Sequence, residues 1–137
     1  MNSNWLADIH RSAFSQGRGW SASEFETLIK SPHCFVVSES HGFALGRVVA
    51  EEAELLTIAV EPEAQGRGIG KRCLAKFHAE AANRDAVSAF LEVAADNLSA
   101  LSLYKSSGWK ESGRRAGYYA RHNAPAIDAL LMTRSLP

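Results

Sequence analysis

Cysteine is nearly absent from this chain: Cys34 and Cys73 stand far apart, with no C-x-x-C spacing. That rules out a disulfide framework or a thiolate-rich metal centre and leaves two reduced, packed thiols as the expectation. The five histidines, His10, His33, His41, His78 and His122, are scattered without ligand spacing, so no metal site is implied. Long apolar runs are missing as well; nothing approaches the roughly 20 residues of a membrane span. The opening MNSNWLADIH lacks the basic-then-apolar layout of a signal peptide. A cytoplasmic protein without membrane contact is expected. Charge of one sign is also lacking, because 15 Lys and Arg balance 15 Asp and Glu. Counterion release, which dominates affinity for nucleic acid, therefore has no global basic surface behind it, and no direct nucleic-acid partner is expected.

What the chain does have is core: 46% of its 137 residues are apolar, enough for a packed interior, and residues 1–137 read as a single domain without repeats or linkers. Trp5, Ile9 and Ala13 fall at helical spacing. After a Gly-containing turn, Ser21 with Glu24 forms a capping box ahead of Phe25, Leu28 and Ile29, giving a second short helix. CFVVSE, FALGRVVA and AELLTIAV read as three strands of an antiparallel meander. Leu74, Phe77 and Ala81, with Cys73 alongside, mark a helix over 70–83, and VSAFLEV is a nearly all-apolar strand suited to a central position covered on both sides. DNLSALSLYKSSG is a further helix stopped at Gly108, and two last strands, around WKESGRR and IDALLMTR, flank a loop AGYYARHNAPA. The order predicts an α/β sandwich with a mixed, mostly antiparallel sheet and about four helices.

Between the third strand and the third helix lies VEPEAQGRGIGKR, with Gly66, Gly68 and Gly70 at alternate positions. Backbone N–H groups at a helix start have no intrahelical acceptor and sit at the positive end of the helix dipole, so an anion there meets several donors at once. Arg67 and Lys71 add positive charge at the same spot, which suits a phosphate group. The alternative is a turn whose glycines only let the helix pack tightly on the strand, with its basic residues in solvent. Two other phosphate loops do not fit. A Walker A loop needs Ser or Thr after Lys71, where Arg72 stands. A dinucleotide fingerprint needs its third glycine one position beyond Gly70.

Gln65-Gly66-Arg67-Gly68-Ile69-Gly70 resembles the Q/R-x-x-G-x-G/A signature of the GCN5-related N-acetyltransferases (GNAT). The likeness extends through LTIAV before it and through LEVAADN, ALSLYKSSGW and GYYARHNAPAIDALLM after it. It covers roughly residues 5 to 134 and looks most like the ribosomal-protein alanine N-acetyltransferases, which modify the α-amine of a protein N-terminus. The resemblance implies a GNAT-like sandwich whose sheet is splayed at the cofactor site, with acetyl-coenzyme A as co-substrate and residues 65–71 (Gln65, Gly66, Arg67, Gly68, Ile69, Gly70 and Lys71) on its pyrophosphate. The ends of the splayed strand, Ile58, Ala59 and Val60, would offer backbone groups to the pantetheine arm and the thioester oxygen. Asn97 would contact the coenzyme, cap its own helix, or do both. Members usually begin with a strand before the first helix; here either that edge strand is missing or residues 1 to 4 are its remnant.

The resemblance also implies catalytic roles. Acetyl transfer to an amine needs a neutral nucleophile and a protonated leaving thiolate. An N-terminal amine with a pKa near 8 costs roughly 1 kcal/mol to deprotonate at pH 7, against about 4.6 for lysine, so a modest base suffices. Glu92, set on the Phe90 face of an apolar strand, is the base so implied, with burial expected to raise its pKa; the other reading is a glutamate paired with Arg47 or Arg115. Tyr104 is the implied acid, otherwise a buried aromatic anchor. Tyr118 and Tyr119 either clamp a peptide end or cover the sheet, and Trp20 is a further substrate contact. Asp128 matches a family Asp-Ala pair and acquires no mechanism from the sequence. The implied activity is direct acetyl transfer to a protein N-terminal amine by a monomer or weak dimer. The same site serves equally for a small-molecule amine or a lysine side chain, and a non-catalytic coenzyme A sensor stands behind both.

Overall fold

Local signals account for most of the elements. Ser21 caps the second helix as its capping box predicts, its hydroxyl accepting from the Glu24 N–H while Glu24 accepts from the Ser21 N–H. The computed structural model describes residues 2–13, 20–121 and 123–136. The Gly-containing turn between the first two helices and His122 lie outside the described residues. Among the described residues the helices are α1 (Ser3–Ala13), α2 (Ala22–Ile29), α3 (Ile69–Asn83) and α4 (Leu98–Ser106). The strands are β1 (Cys34–Glu39), β2 (Gly42–Val49), β3 (Glu52–Val60), β4 (Ser88–Ala94), β5 (Lys110–Arg121) and β6 (Ala124–Ser135). No strand precedes α1 among the described residues, and β1 forms one edge of the sheet.

The sheet runs β1-β2-β3-β4-β6-β5, antiparallel except where β3 meets β4. Two cores lie on its two sides. One gathers Leu6, Ile9, Phe25, Phe43 and Leu45 under α1 and α2; the other gathers Cys73, Leu74, Phe77, Leu91 and Met132 under α3 and α4. Both cysteines are buried and free, and burial, with the charge of Glu39 in support, pushes the Cys73 thiol up to about 11. Gly46 is the tight spot: a Cβ there would stand 2.5 Å from Phe77 and 2.7 Å from Phe35, so only glycine lets these rings close over β2.

Strands β3 and β4 pair only over Glu52–Glu54 and Ser88–Phe90, then part. The separation follows a bulge. Leu45 pairs with Thr57 and Gly46 with Leu55, leaving Leu56 as an extra residue in β3. The extra residue reverses the alternation of faces: Leu55 joins the α3 core, whereas Ala59 joins the α1 core and Ile58 and Val60 turn toward α3 and α4.

Two expectations need correction. The segment AGYYARHNAPA is not a loop. Residues 116–121 continue β5 and 124–126 continue β6 in a long hairpin, so that Tyr119 pairs with Ile127 and Arg121 with Ala124. Asn123 at φ 57° serves the tip, and Gly117 at φ 60° lies within an irregularity between Arg115 and Tyr119, breaking the alternation by which a strand is read. Nor is β4 covered on both sides. Ala89, Leu91 and Val93 are buried in the α3 core, but Phe90 and Glu92 on the other face are only half-buried.

Candidate active site

Parting two strands strips one side of each of its hydrogen-bond partners and opens a cleft through the sheet. Two adjoining cavities fill it. The smaller, about 250 Å³, is bounded by the end of β3, the glycine turn and α4, and is lined by Ile58, Ala59, Val60, Gln65, Gly66, Gly68, Ile69, Gly70 and Asn97. The larger, about 540 Å³, is lined by Trp20, Glu92, Tyr104, Tyr119 and Arg121. Ala13, Ile58, Asn97 and Ala100 belong to both, so the cavity at the turn adjoins the one lined by Glu92. Arg67, Lys71 and Tyr118 line neither cavity.

The turn has the form of an anion cradle. Gly66 and Gly68 take φ of 82° and 79°, and Gly68 begins α3 without any side-chain cap, which leaves the first N–H groups of a 15-residue helix without an intrahelical acceptor. The packing explanation for these glycines fails on contact. A Cβ on Gly66 meets nothing within 4 Å, one on Gly68 meets only the Arg72 guanidinium at 3.2 Å, and one on Gly70 makes ordinary contact with Leu103 at 3.4 Å. The bare backbone admits a close ligand. Gln65 donates to the Val60 carbonyl at 3.3 Å and ties the turn to β3. Of the nearby cations, Arg72 is held by Glu39 at 2.8 Å, Arg67 reaches the Glu63 carbonyl, and Lys71 is exposed. Asn97 caps α4 through the Ala100 N–H at 3.2 Å and still lines both cavities.

Around Glu92 the charges come in pairs. Its Oε1 lies 3.2 Å from Arg115, as one sequence reading anticipated, while its Oε2 is buried with no hydrogen-bond partner among the described residues. At the same cavity Arg121 donates to Asp96 at 2.9 Å, and its own Nε is buried without an acceptor among the described residues. Tyr104 is 6% exposed, its ring 6.0 Å from that of Trp109. Burial, reinforced by Tyr119, drives its phenol above the ordinary tyrosine range, so it carries its proton. Tyr119 is likewise raised by burial and then by the negative charge of Glu92.

Two residues passed over in the sequence complete the wall. His10, 5% exposed on α1, stacks on Trp20 at 5.1 Å and accepts the Trp20 N–H through Nδ1 at 3.1 Å. Its Nε2 must then bear the proton and donate to the Thr57 hydroxyl at 3.2 Å. Burial lowers the ring to about 4 against the opposing pull of Glu24, so His10 is neutral at pH 7. Thr57 reaches this face only because of the Leu56 bulge, a signal absent from residue types. Asp128 now acquires a mechanism: it accepts from the Gly117 N–H at 2.9 Å and from Arg114 at 2.7 Å, and so staples the irregular part of β5 next to Tyr118 and Tyr119.

The profile of the acetyltransferase (GNAT) family matches residues 2–109. The chain belongs to the GNAT acetyltransferase family. Over 77 residues, 56% of this chain and 52% of the relative, it is 43% identical to the ribosomal protein bS18-alanine N-acetyltransferase of Salmonella typhimurium, so the match spans about half the length of that relative. Over 129 residues, 88% of this chain and 80% of the relative, it is 35% identical to the N-alpha-acetyltransferase RimI of Mycobacterium tuberculosis. The crystal structure of the ribosomal-protein-S18-alanine N-acetyltransferase from Escherichia coli superposes with a TM-score of 0.86, covering 98% of this chain and 87% of that one at 28% identity. The splayed mixed sheet is thus the GNAT fold, as the sequence resemblance implied.

Proposed function

We propose that this GNAT protein transfers acetyl from acetyl-coenzyme A to a protein N-terminal α-amine by direct attack. The observation that carries the reading is the pair of adjoining cavities, one lined by the glycine turn at the uncapped start of α3 and the other by Glu92 and Tyr104, with Ile58, Asn97 and Ala100 in both. The two relatives named above, a ribosomal protein bS18-alanine N-acetyltransferase and an N-alpha-acetyltransferase RimI, support the same acceptor. Residues 65–71 hold the pyrophosphate on main-chain donors, with Arg67 and Lys71 as the mobile cations beside it. The backbone of Ile58, Ala59 and Val60, unpaired toward β4, holds the pantetheine arm, and Asn97 lies between the two ends. Bound acetyl-coenzyme A supplies the reactive thioester.

Glu92 takes the proton of the incoming amine on Oε2, while Arg115 holds the other oxygen and fixes the carboxylate plane. Tyr104, kept protonated by burial, donates from its hydroxyl to the departing sulfur. Tyr119 and Trp20, which line the larger cavity, and the exposed Tyr118 beside Tyr119 receive the acceptor. Neither cysteine serves as an acyl carrier: both are buried, neither lines the cavities, and the Cys73 thiol is held well above neutral pH. Reduced, buried thiols also suit a cytoplasmic setting, which we assign to the protein.

The test offers purified protein and acetyl-coenzyme A a panel of N-terminal peptides, a lysine peptide blocked at its N-terminus, and polyamines. Transfer to free N-termini with the highest kcat/KM is expected. Preference for the lysine peptide or a polyamine overturns the acceptor, and coenzyme binding without transfer to any of them overturns the enzyme assignment.

A further inference from the structure

Two side chains that line the larger cavity each carry a buried polar atom, of opposite character and without a partner among the described residues: the acceptor Glu92 Oε2 and the donor Arg121 Nε–H. Buried polar groups are nearly always satisfied, because a bare one forfeits its hydration for nothing in return. An acceptor and a donor left open in one cleft therefore describe their ligand, which must present a donor to one and an acceptor to the other. An amine alone satisfies only Glu92. An amine followed by a peptide carbonyl satisfies both.

We propose that Arg121 is a specificity-determining residue whose Nε–H donates to a main-chain carbonyl within the first two residues of the acceptor, while the acceptor's amine meets Glu92 Oε2. The inference rests on the acceptor assigned above and adds to it the feature by which a peptide is told from a simple amine. The rest of the Arg121 side chain is held for this task. Its Nη2 donates to Asp96 at 2.9 Å, bridging the end of β5 to the segment before α4, and its guanidinium carbon lies 5.9 Å from the centre of the Tyr119 ring. Its Nη1 reaches the Ala120 carbonyl at 3.5 Å and the side chain is 17% exposed, so the fork is confined among these neighbours, and Nε is the nitrogen that has no acceptor among the described residues.

Charge favours a neutral carbonyl over a carboxylate. Glu92, Asp96 and Arg121 are the charged residues that line the cavity, two carboxylates and one guanidinium, while Arg115 pairs with Glu92 from outside the lining. The wall therefore gives an acidic side chain no net attraction, and recognition of a neutral carbonyl falls to hydrogen-bond direction.

The experiment compares a tetrapeptide amide beginning with alanine with two isosteres, in which the first or the second peptide group is replaced by a trans-alkene. The unaltered chain is expected to lose about 10- to 100-fold in kcat/KM on one isostere, the range for a buried donor left bare. In Arg121→Lys and Arg121→Gln the peptide itself becomes slower, and the gap between peptide and isostere closes to within about 3-fold, since the discriminating donor is gone. Asp96→Asn, which keeps the guanidinium but loosens it, should raise KM for the peptide without removing the gap. Equal use of peptide and both isosteres by the unaltered chain, or a gap that persists undiminished in the Arg121 variants, overturns the role of Arg121 and leaves the acceptor class standing. Should the unaltered chain acetylate none of the three peptides yet acetylate a polyamine, the acceptor class itself falls and the inference with it. If an Arg121 variant does not fold, equal use of peptide and isosteres by the unaltered chain still overturns the proposal.

Discussion

Arg115 stands 3.2 Å from one oxygen of Glu92 and leaves the other oxygen buried and bare. The arrangement separates the two meanings of this glutamate. Arg115 is 58% exposed, and an ion pair with one partner in solvent contributes about 0–1 kcal/mol to stability. Glu92→Gln is therefore expected to unfold within about 1 kcal/mol of the unaltered chain in denaturant while kcat falls about 10²- to 10⁴-fold, the usual worth of a general base. A loss of stability with full turnover would make Glu92 a structural residue.

Tyr104→Phe keeps the ring against Trp109 and removes only the hydroxyl. Its expected effect is a drop in kcat of similar order, about 10²-fold or more, with coenzyme affinity unchanged by calorimetry. Turnover at the original rate would remove Tyr104 from the proton path.

Two glycines of the turn should respond differently to alanine. Gly68→Ala forces a side chain into the left-handed region and is expected to cost about 1–2 kcal/mol. Gly70 is helical with only ordinary neighbours around a Cβ, so Gly70→Ala should stabilise the fold by about 0.5–1 kcal/mol while weakening coenzyme binding, because a methyl group stands where the backbone meets the ligand. Unaltered coenzyme affinity in Gly70→Ala refutes the cradle. Gly46→Ala is the control of opposite character: it overpacks Phe35 and Phe77 and should cost about 1–3 kcal/mol or more with no direct effect on binding.

Asp128→Ala should raise KM for the acceptor several-fold and leave coenzyme binding intact, because Asp128 holds Gly117 and Arg114 rather than the cleft. The Gly117 N–H bond, with Arg114 in support, keeps this carboxyl below the usual carboxylate range, so the staple persists at neutral pH and is lost only in acid. Peptide kinetics at saturating coenzyme check the expectation; an unchanged KM refutes it.

Stability should fall between about pH 6.5 and 4. Burial holds His10 at about 4, and burial with Arg134 holds His78 at about 4, both from an ordinary 6.5. Each is neutral in the fold. His78 Nε2 accepts from the Trp109 indole at 3.0 Å, and His10 Nδ1 accepts from the Trp20 N–H at 3.1 Å. At pH 5 the unfolded chain binds roughly two protons more than the folded one through these rings, so unfolding is favoured as pH drops through the window and the stabilisation is fully present above about 6.5. Denaturant midpoints from pH 7.5 to 4.5 should show the slope, and His78→Phe should reduce it. A flat profile would refute the assignment.

Much of this molecule is written locally. The Ser21–Glu24 box, the Cys73, Leu74, Phe77 and Ala81 stripe and the Gly66-x-Gly68 turn each depend on residues within a few positions of one another, and each stands where the pattern put it. The hairpin carrying Tyr118 and Tyr119 was not legible, because its pairing spans two chain segments and Gly117 interrupts the period of two.

By itself, then, the sequence determined the order of elements, the glycine turn at the start of α3 and the family, since these reside in short-range spacing and residue type. The resemblance implied a splay between two strands, but only the tertiary structure decided that Leu56 would bulge, that the parting would begin beyond Glu54 and Phe90, and that Glu92 and Arg121, lining one cavity, would each carry a buried polar atom without a partner among the described residues. The reason is physical: register, burial and the loss of a hydrogen-bond partner are properties of segments meeting in space, and no residue carries them before the chain has folded.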